Sequence, residues 1–235
     1  MNLRLRPFQI LIGALLAALV AAPAQAVPPA HVSVTYDVSY NGLVMAVGHE
    51  TLQHDAHSYQ IESQLRGKGV FALANRGAVK RSSRGEITPA GLKPVEFRDQ
   101  RGDREPEFAR FDWVAHSVTH ERDGNRQASP ITEGTQDRVS FFWNFAFAPP
   151  RGEVSVQVED GRGTTHFRFA IAGKETLKTD AGAIECLHLR KIKDPGDTRD
   201  TEIWLATERS FIPIRLLVVE KDGTRVDQVA TRIES

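Results

Sequence analysis

The sequence predicts a mainly β protein, an antiparallel meander curled into a half-barrel or barrel, with one short aromatic-rich helix packed in the concavity. Three observations carry this reading. Runs that alternate apolar with polar residues recur along the chain, and four Asx-Gly dipeptides (Asn41-Gly42, Asp123-Gly124, Asp160-Gly161, Asp222-Gly223) stand between such runs. Each dipeptide marks a tight hairpin, because the favoured two-residue turn needs positive φ at both central positions. The third observation is the stretch TQDRVSFFWNFAF at 135–147, which places seven apolar side chains in its last nine positions and has a helical rather than an alternating character.

Residues 1–26 read as a secretory signal peptide. Arg4 and Arg6 form its positive start, 8–20 is an apolar run short for a bilayer, and Ala24-Gln25-Ala26 has the small-x-small form that places cleavage between Ala26 and Val27. The residue right after the cleavage site is Val27 rather than a cysteine, so a lipid anchor is not expected. The expected product is a soluble, periplasmic protein that is not a lipoprotein and has no transmembrane segment, with 27–235 as a single β-rich domain.

Basic and acidic residues number thirty each, and the signal removes two basic ones, which leaves the mature chain at about −2. That balance argues against a nucleic-acid binder and against electrostatic attachment to anionic lipid, since both need a concentrated basic patch. A single cysteine, Cys186 in the strand-like GAIECLHLRK, excludes an internal disulfide framework and reads as a small packed side chain.

Strands are expected at 31–40, 43–53, 57–66, 78–87, 94–101, 107–114, 117–122, 153–159, 165–172, 183–193, 200–206, 211–221 and 224–233. So many strands in one sheet must curl, because twist accumulates and long open edges invite aggregation. Alternation puts Val32, Val34, Tyr36 and Val38 on one face of the first hairpin. Near the end it puts Ile212, Ile214, Leu216 and Val218 on one face and Phe211, Arg215, Leu217 and Val219 on the other. Pro213 cannot donate to a ladder and should mark a strand start, an edge or a bulge.

The helix is expected over 139–146, capped by Thr135 or Asp137 and stopped by Pro149-Pro150. Ser140 and Asn144 form its one thin polar stripe, and apolar side chains cover the rest of its circumference. Such a helix must be buried on more than one side. It could fill the core, wall a pocket for an apolar molecule or meet a partner. As a pocket wall it would offer Val139, Phe142, Trp143 and Phe145, with Trp204 from the C-terminal strands.

No catalytic set is assigned. There is no glycine-rich phosphate loop after a strand, no Gly-x-Ser-x-Gly elbow and no His-Glu-x-x-His helix. Asp112 and Asp137 have no second carboxylate or nucleophile at a telling spacing. His49, His54 and His57 cluster with Asp55 around a turn and are the only metal-ligand candidates, with solvated turn residues as the plainer reading. No metal and no cofactor is expected.

The runs GEITPAGLKPVEFRDQR, ARFDW, TQDRVSFFWNF and TEIWLATERSFIPIRLLVVEKDG carry a resemblance. Through Gly91-Leu92-x-Pro94, Phe111-Asp112-Trp113, Gln136-Asp137 with Ser140, and Trp204 followed by Pro213, the chain resembles the exported bacterial family known as domain of unknown function 3108 over nearly all of its mature length. The ending is also remotely similar to the periplasmic lipoprotein carriers and their outer-membrane receptor, half-barrels whose helices cover an apolar cavity. This chain differs from them in having no set of several lid helices. The resemblance implies a fold and a compartment, and it favours a non-enzymatic binding or carrier module for an apolar ligand such as a lipid or acyl chain. An envelope scaffold or assembly factor acting through protein contacts is the alternative, and an enzyme without a recognisable motif the third.

Overall fold

The computed structural model describes residues 27–74 and 77–235, so the expected signal peptide lies outside the described residues. The described chain runs through strands β1 (His31–Tyr40), β2 (Leu43–His54), β3 (Ser58–Gly67), β4 (Val79–Thr88), β5 (Gly91–Arg101), β6 (Glu107–Asp112), β7 (Ser117–Arg122) and β8 (Asn125–Pro130). It continues through β9 (Gln136–Asp137), β10 (Val154–Glu159), β11 (Thr164–Thr179), β12 (Gly182–Lys191), β13 (Asp200–Ala206), β14 (Ile212–Val219) and β15 (Arg225–Glu234). Two short helices interrupt it, α1 (Phe71–Ala74) and α2 (Ser140–Asn144).

Among the described residues the strands form one 15-stranded sheet in the order β8-β7-β6-β5-β4-β3-β2-β1-β15-β14-β13-β12-β11-β10-β9. The first and last strands pair antiparallel at its centre, and a meander runs outward from each. All pairings are antiparallel except that of β9 with β10. The sheet curls without closing, because β8 and β9 end it with no ladder between them. The curl nevertheless brings β9 over β5 and the β10–β11 turn over β6. Arg162 Nε donates to Glu107 Oε2 at 2.8 Å, and Gln136 Nε2 donates to the Leu92 carbonyl at 2.8 Å.

All four Asx-Gly dipeptides turn hairpins. Asn41-Gly42 (φ 50° and 83°) and Asp123-Gly124 (φ 49° and 75°) are the two-residue form with both central residues left-handed. At Asp160-Gly161 and Asp222-Gly223 only the glycine has positive φ. There the aspartate caps a wider loop, accepting the backbone N–H two residues on, from Arg162 at 3.0 Å and from Thr224 at 2.9 Å.

Several features differ from the expected elements, α1 and β9 among them. The polar run 125–130 is an edge strand, β8, and β11 continues to Thr179 through a bulge between Ile171 and Gly173. In β14, Trp204 pairs with Arg215 and Leu205 with Pro213, which leaves Ile214 as an extra residue. A bulge shifts every later side chain to the other face. Leu217 therefore packs with Ile212 and Ile214, while Leu216 packs with Phe211 in a second apolar cluster. The proline fits at the bulge because it has no N–H to offer the ladder.

The first cluster joins Val32, Val34, Tyr36, Leu52, Ile61, Phe97 and Trp143; the second gathers Phe141, Phe145, Phe169, Leu189, Ile203 and Leu205. α2 supplies side chains to both, which fixes its place in the concavity. It is five residues long rather than the eight expected. Beyond Asn144 the chain tightens into i→i+3 bonds, with Ala146 N–H donating to Trp143 O and Phe147 N–H to Asn144 O, both at 3.0 Å. Asn144 itself is drawn off the helix: its Oδ1 accepts the Leu92 N–H at 2.8 Å.

Candidate functional site

The approach to α2 is built from buried polar groups. Asp137 Oδ1 accepts the N–H groups of Val139 and Ser140, each at 2.8 Å, and Ser140 Oγ accepts the Asp137 N–H at 2.9 Å, a reciprocal cap. The other carboxylate oxygen accepts Ser83 Oγ from β4. Burial pushes the Asp137 pKa up to about 6 despite these donors. On the far side of the helix Trp143, fully buried, donates from Nε1 to Glu50 Oε2 at 3.0 Å. Ser63 Oγ donates to the other oxygen at 3.0 Å. Burial raises the pKa of Glu50, and these two hydrogen bonds oppose the rise.

Between this fastened helix and the C-terminal strands lies a cavity of about 480 Å3. Its apolar lining comes from Leu65, Val139, Phe141, Phe142, Val158, Phe167, Leu216 and Val218. Its polar lining includes Glu50, Arg81, Arg138, Lys191 and Arg199. The size falls within the roughly 300–1,000 Å3 of small-molecule sites, while charged side chains of both signs, with Asp160, Asp197 and Glu220 among the acids, form more of the wall than such sites usually show.

Of the residues the sequence singles out, Val139 and Phe142 border this cavity. Trp143 lies behind it in the first cluster, and Phe145 packs edge-on against Phe141 with ring centroids 5.4 Å apart. Trp204 sits between Ile203 and Leu205, whose side chains join the second cluster, so it leaves the sheet on the opposite face. There it stacks on His188 at 4.4 Å, lies under the Arg215 guanidinium at 4.5 Å and donates to Glu175. The cavity lining that sequence reasoning missed, Arg81, Phe167, Lys191 and Leu216 among it, comes from β4, β11, β12 and β14. No local pattern links those strands to the helix.

The histidine group does not converge. His49 Nδ1 lies 3.4 Å from Thr35 Oγ1, while His54 bonds the carbonyls of Pro28 and Asp55 at 3.0 Å. Asp55 is occupied by the N–H groups of His57 and Ser58. Among the described residues no group of three or more His, Cys, Asp or Glu side chains is placed to hold a metal ion. Asp112 likewise serves a turn, accepting the N–H groups of Val114 and Ala115.

Two of the motifs behind the family resemblance, Gly91-Leu92-x-Pro94 and Gln136-Asp137 with Ser140, prove to fasten α2 and its approach. Gly91 has φ 112°, and a Cβ there would lie 2.3 Å from Asn144 Oδ1. Leu92 exchanges bonds with Asn144 and Gln136, and the Pro94 carbonyl accepts Trp113 Nε1 at 2.7 Å. A family model for a protein of unknown function (DUF3108) matches residues 35–229. The chain belongs to the DUF3108 family.

Among solved structures, the DUF3108 chain is similar to a β-barrel-like protein of domain of unknown function DUF1849 from Brucella abortus. The TM-score is 0.53 at 9% identity, over 90% of this chain and 98% of that one. At that identity the likeness shows a shared fold. A candidate lipoprotein from Parabacteroides distasonis (TM-score 0.38, 11% identity, 89% of this chain and 96% of that one) and a candidate exported protein with a YmcC-like fold from Bacteroides fragilis (0.37, 9%, 87% and 95%) are more distant. No curated protein matches the chain. No helix among the described residues is long and apolar enough to cross a membrane.

Proposed function

We propose that this DUF3108 protein is an exported, periplasmic binding or carrier module for an apolar ligand, a lipid or acyl chain, held against the aromatic side of α2. The observation that supports this most is the 480 Å3 cavity beside Phe141, Phe142 and Phe167. A helix this short has no independent stability. Its many fastenings to β2, β4 and β5 hold it as a fixed wall with space in front of it. Val139 and Phe142 are the ligand contacts from the helix region, with Trp143 and Phe145 supporting the wall from behind.

The alternative, an envelope scaffold, draws on one feature: the outer edge of β8 has no ladder partner and could accept a strand from another protein. Arg126 and Pro130 on that strand are residues that blunt such edges. Native mass spectrometry with lipid extraction, on protein recovered from its own periplasm, separates the readings. The carrier reading expects an apolar molecule at about one per chain. A reproducibly empty chain that instead co-purifies with an envelope protein would refute it.

A further inference from the structure

The cations around the cavity are not equally occupied. Lys191 pairs with Asp197 at 2.6 Å, Arg199 with Glu220 at 2.9 Å and Arg215 with Asp227 at 2.7 Å, each with its own carboxylate. Arg81 and Arg138 are different. Arg81 donates only through Nε, at 3.3 Å, to Asp99, and Asp99 is already shared with Arg101 at 2.8 Å. Arg138 has Asp160 at 4.0 Å and, among the described residues, makes no side-chain hydrogen bond. Glu50, whose oxygens accept from Ser63 and Trp143, lies near enough for its charge to attract Arg81 but makes no hydrogen bond to either arginine. The guanidinium groups of Arg81, Arg101 and Arg138 thus share the carboxylates of Asp99, Asp160 and Glu50, and it is the Arg138 fork that, among the described residues, is left without a hydrogen-bonded acceptor. Burial and the nearby Arg81 charge hold the Arg138 pKa below the ordinary arginine value.

We infer that the ligand is an amphiphile with an anionic head, a carboxylate or a phosphate, which pairs with Arg138 and Arg81 while its chain lies along Phe141, Phe142 and Phe167. The inference rests on the carrier reading and specifies its substrate class. A guanidinium fork fits both head groups with paired hydrogen bonds, and in a partly dry site such bonds are stronger than at an open surface. The half-exposed Arg138 marks the head end of the site, and the ring cluster marks the tail end.

The test uses the lipid-stripped mature protein and four probes with one chain length, each below its micellar concentration: laurate, dodecyl phosphate, dodecanol and dodecylamine. Binding is followed by calorimetry. Laurate or dodecyl phosphate should bind at least about tenfold more tightly than dodecanol, and dodecylamine most weakly. Whichever anion is preferred identifies the source of the head group. Arg138→Gln should weaken the anionic probes about tenfold or more and leave dodecanol unchanged, and Arg138→Lys should restore part of the loss. Arg81→Gln, read the same way, guards against a single uninformative variant. Equal binding of laurate and dodecanol, indifferent to both substitutions, would overturn the anionic head and leave the carrier reading standing. Binding of no probe would remove both.

Discussion

Phe142 and Trp143 are neighbours in α2, yet they do opposite things. Trp143 points into the closed side, wholly buried, its indole N–H bonded to Glu50 on a strand ninety-three residues away. Phe142 points to the open side, half-buried, with one ring neighbour in Phe141 at 4.9 Å and the cavity in front of it. The difference teaches that an aromatic run can be partly core and partly cavity wall. A helix apolar around most of its circumference has surface to spare once its core side is packed. The fastened side makes the open side rigid, and a rigid apolar wall is what a ligand site needs.

The closed side should be the costlier one to disturb. Trp143→Ala is expected to lower stability by about 3–5 kcal/mol, as for a large aromatic truncated in a packed interior, and to leave Glu50 without one of its donors. Denaturant unfolding measures this. A loss under about 1 kcal/mol would mean that the helix is not seated as described.

Asp137, on the same fastened side, sets a pH dependence. Its pKa stands near 6 in the folded chain, against about 4 when unfolded. Between those values the native state holds a proton that the unfolded state has released. The associated stability is whole below about pH 4 and is lost as the pH rises through 6. Its size is on the order of 2–3 kcal/mol. Asp137→Asn should flatten this part of the profile. A smaller slope of the same sign should remain from Glu50, whose pKa is also raised. An unchanged profile in the variant would place the titration elsewhere.

Much of the fold was legible because its signals are local. Asn41-Gly42 and Asp123-Gly124 specify their turns within two residues, and the alternation of HVSVTYDVSY specifies a strand that the structure reproduces. What escaped has no local signal. The strand NRQASP lies exposed at an edge, so nothing required it to alternate, and β9 is two residues defined by a parallel partner far along the chain. The bulge at Ile214 turned a correct reading of apolar residues into the wrong face for Leu216 and Leu217. Val139 and Phe142, expected as pocket wall from excess apolar circumference, do border the cavity. The place of Arg81 and Arg138 in its lining was not legible, since it appears only after the curl has brought β4 beside the segment that leads into α2.

The smallest effect on stability should come with the largest effect on binding. Phe142→Ala removes a ring that is only half enclosed, so unfolding should shift by about 1 kcal/mol. The same change opens the cavity wall and should abolish or strongly weaken uptake of an apolar probe. Set beside the Trp143 variant, it asks whether stability and binding divide between the two sides of one helical turn. If Phe142→Ala costs as much stability as Trp143→Ala and leaves binding intact, both rings are core, and the ligand site must be sought elsewhere in the concavity. If it leaves the fold nearly untouched and loses the probe, the run VSFFWNFAF combines a seat and a wall, with adjacent residues assigned to each.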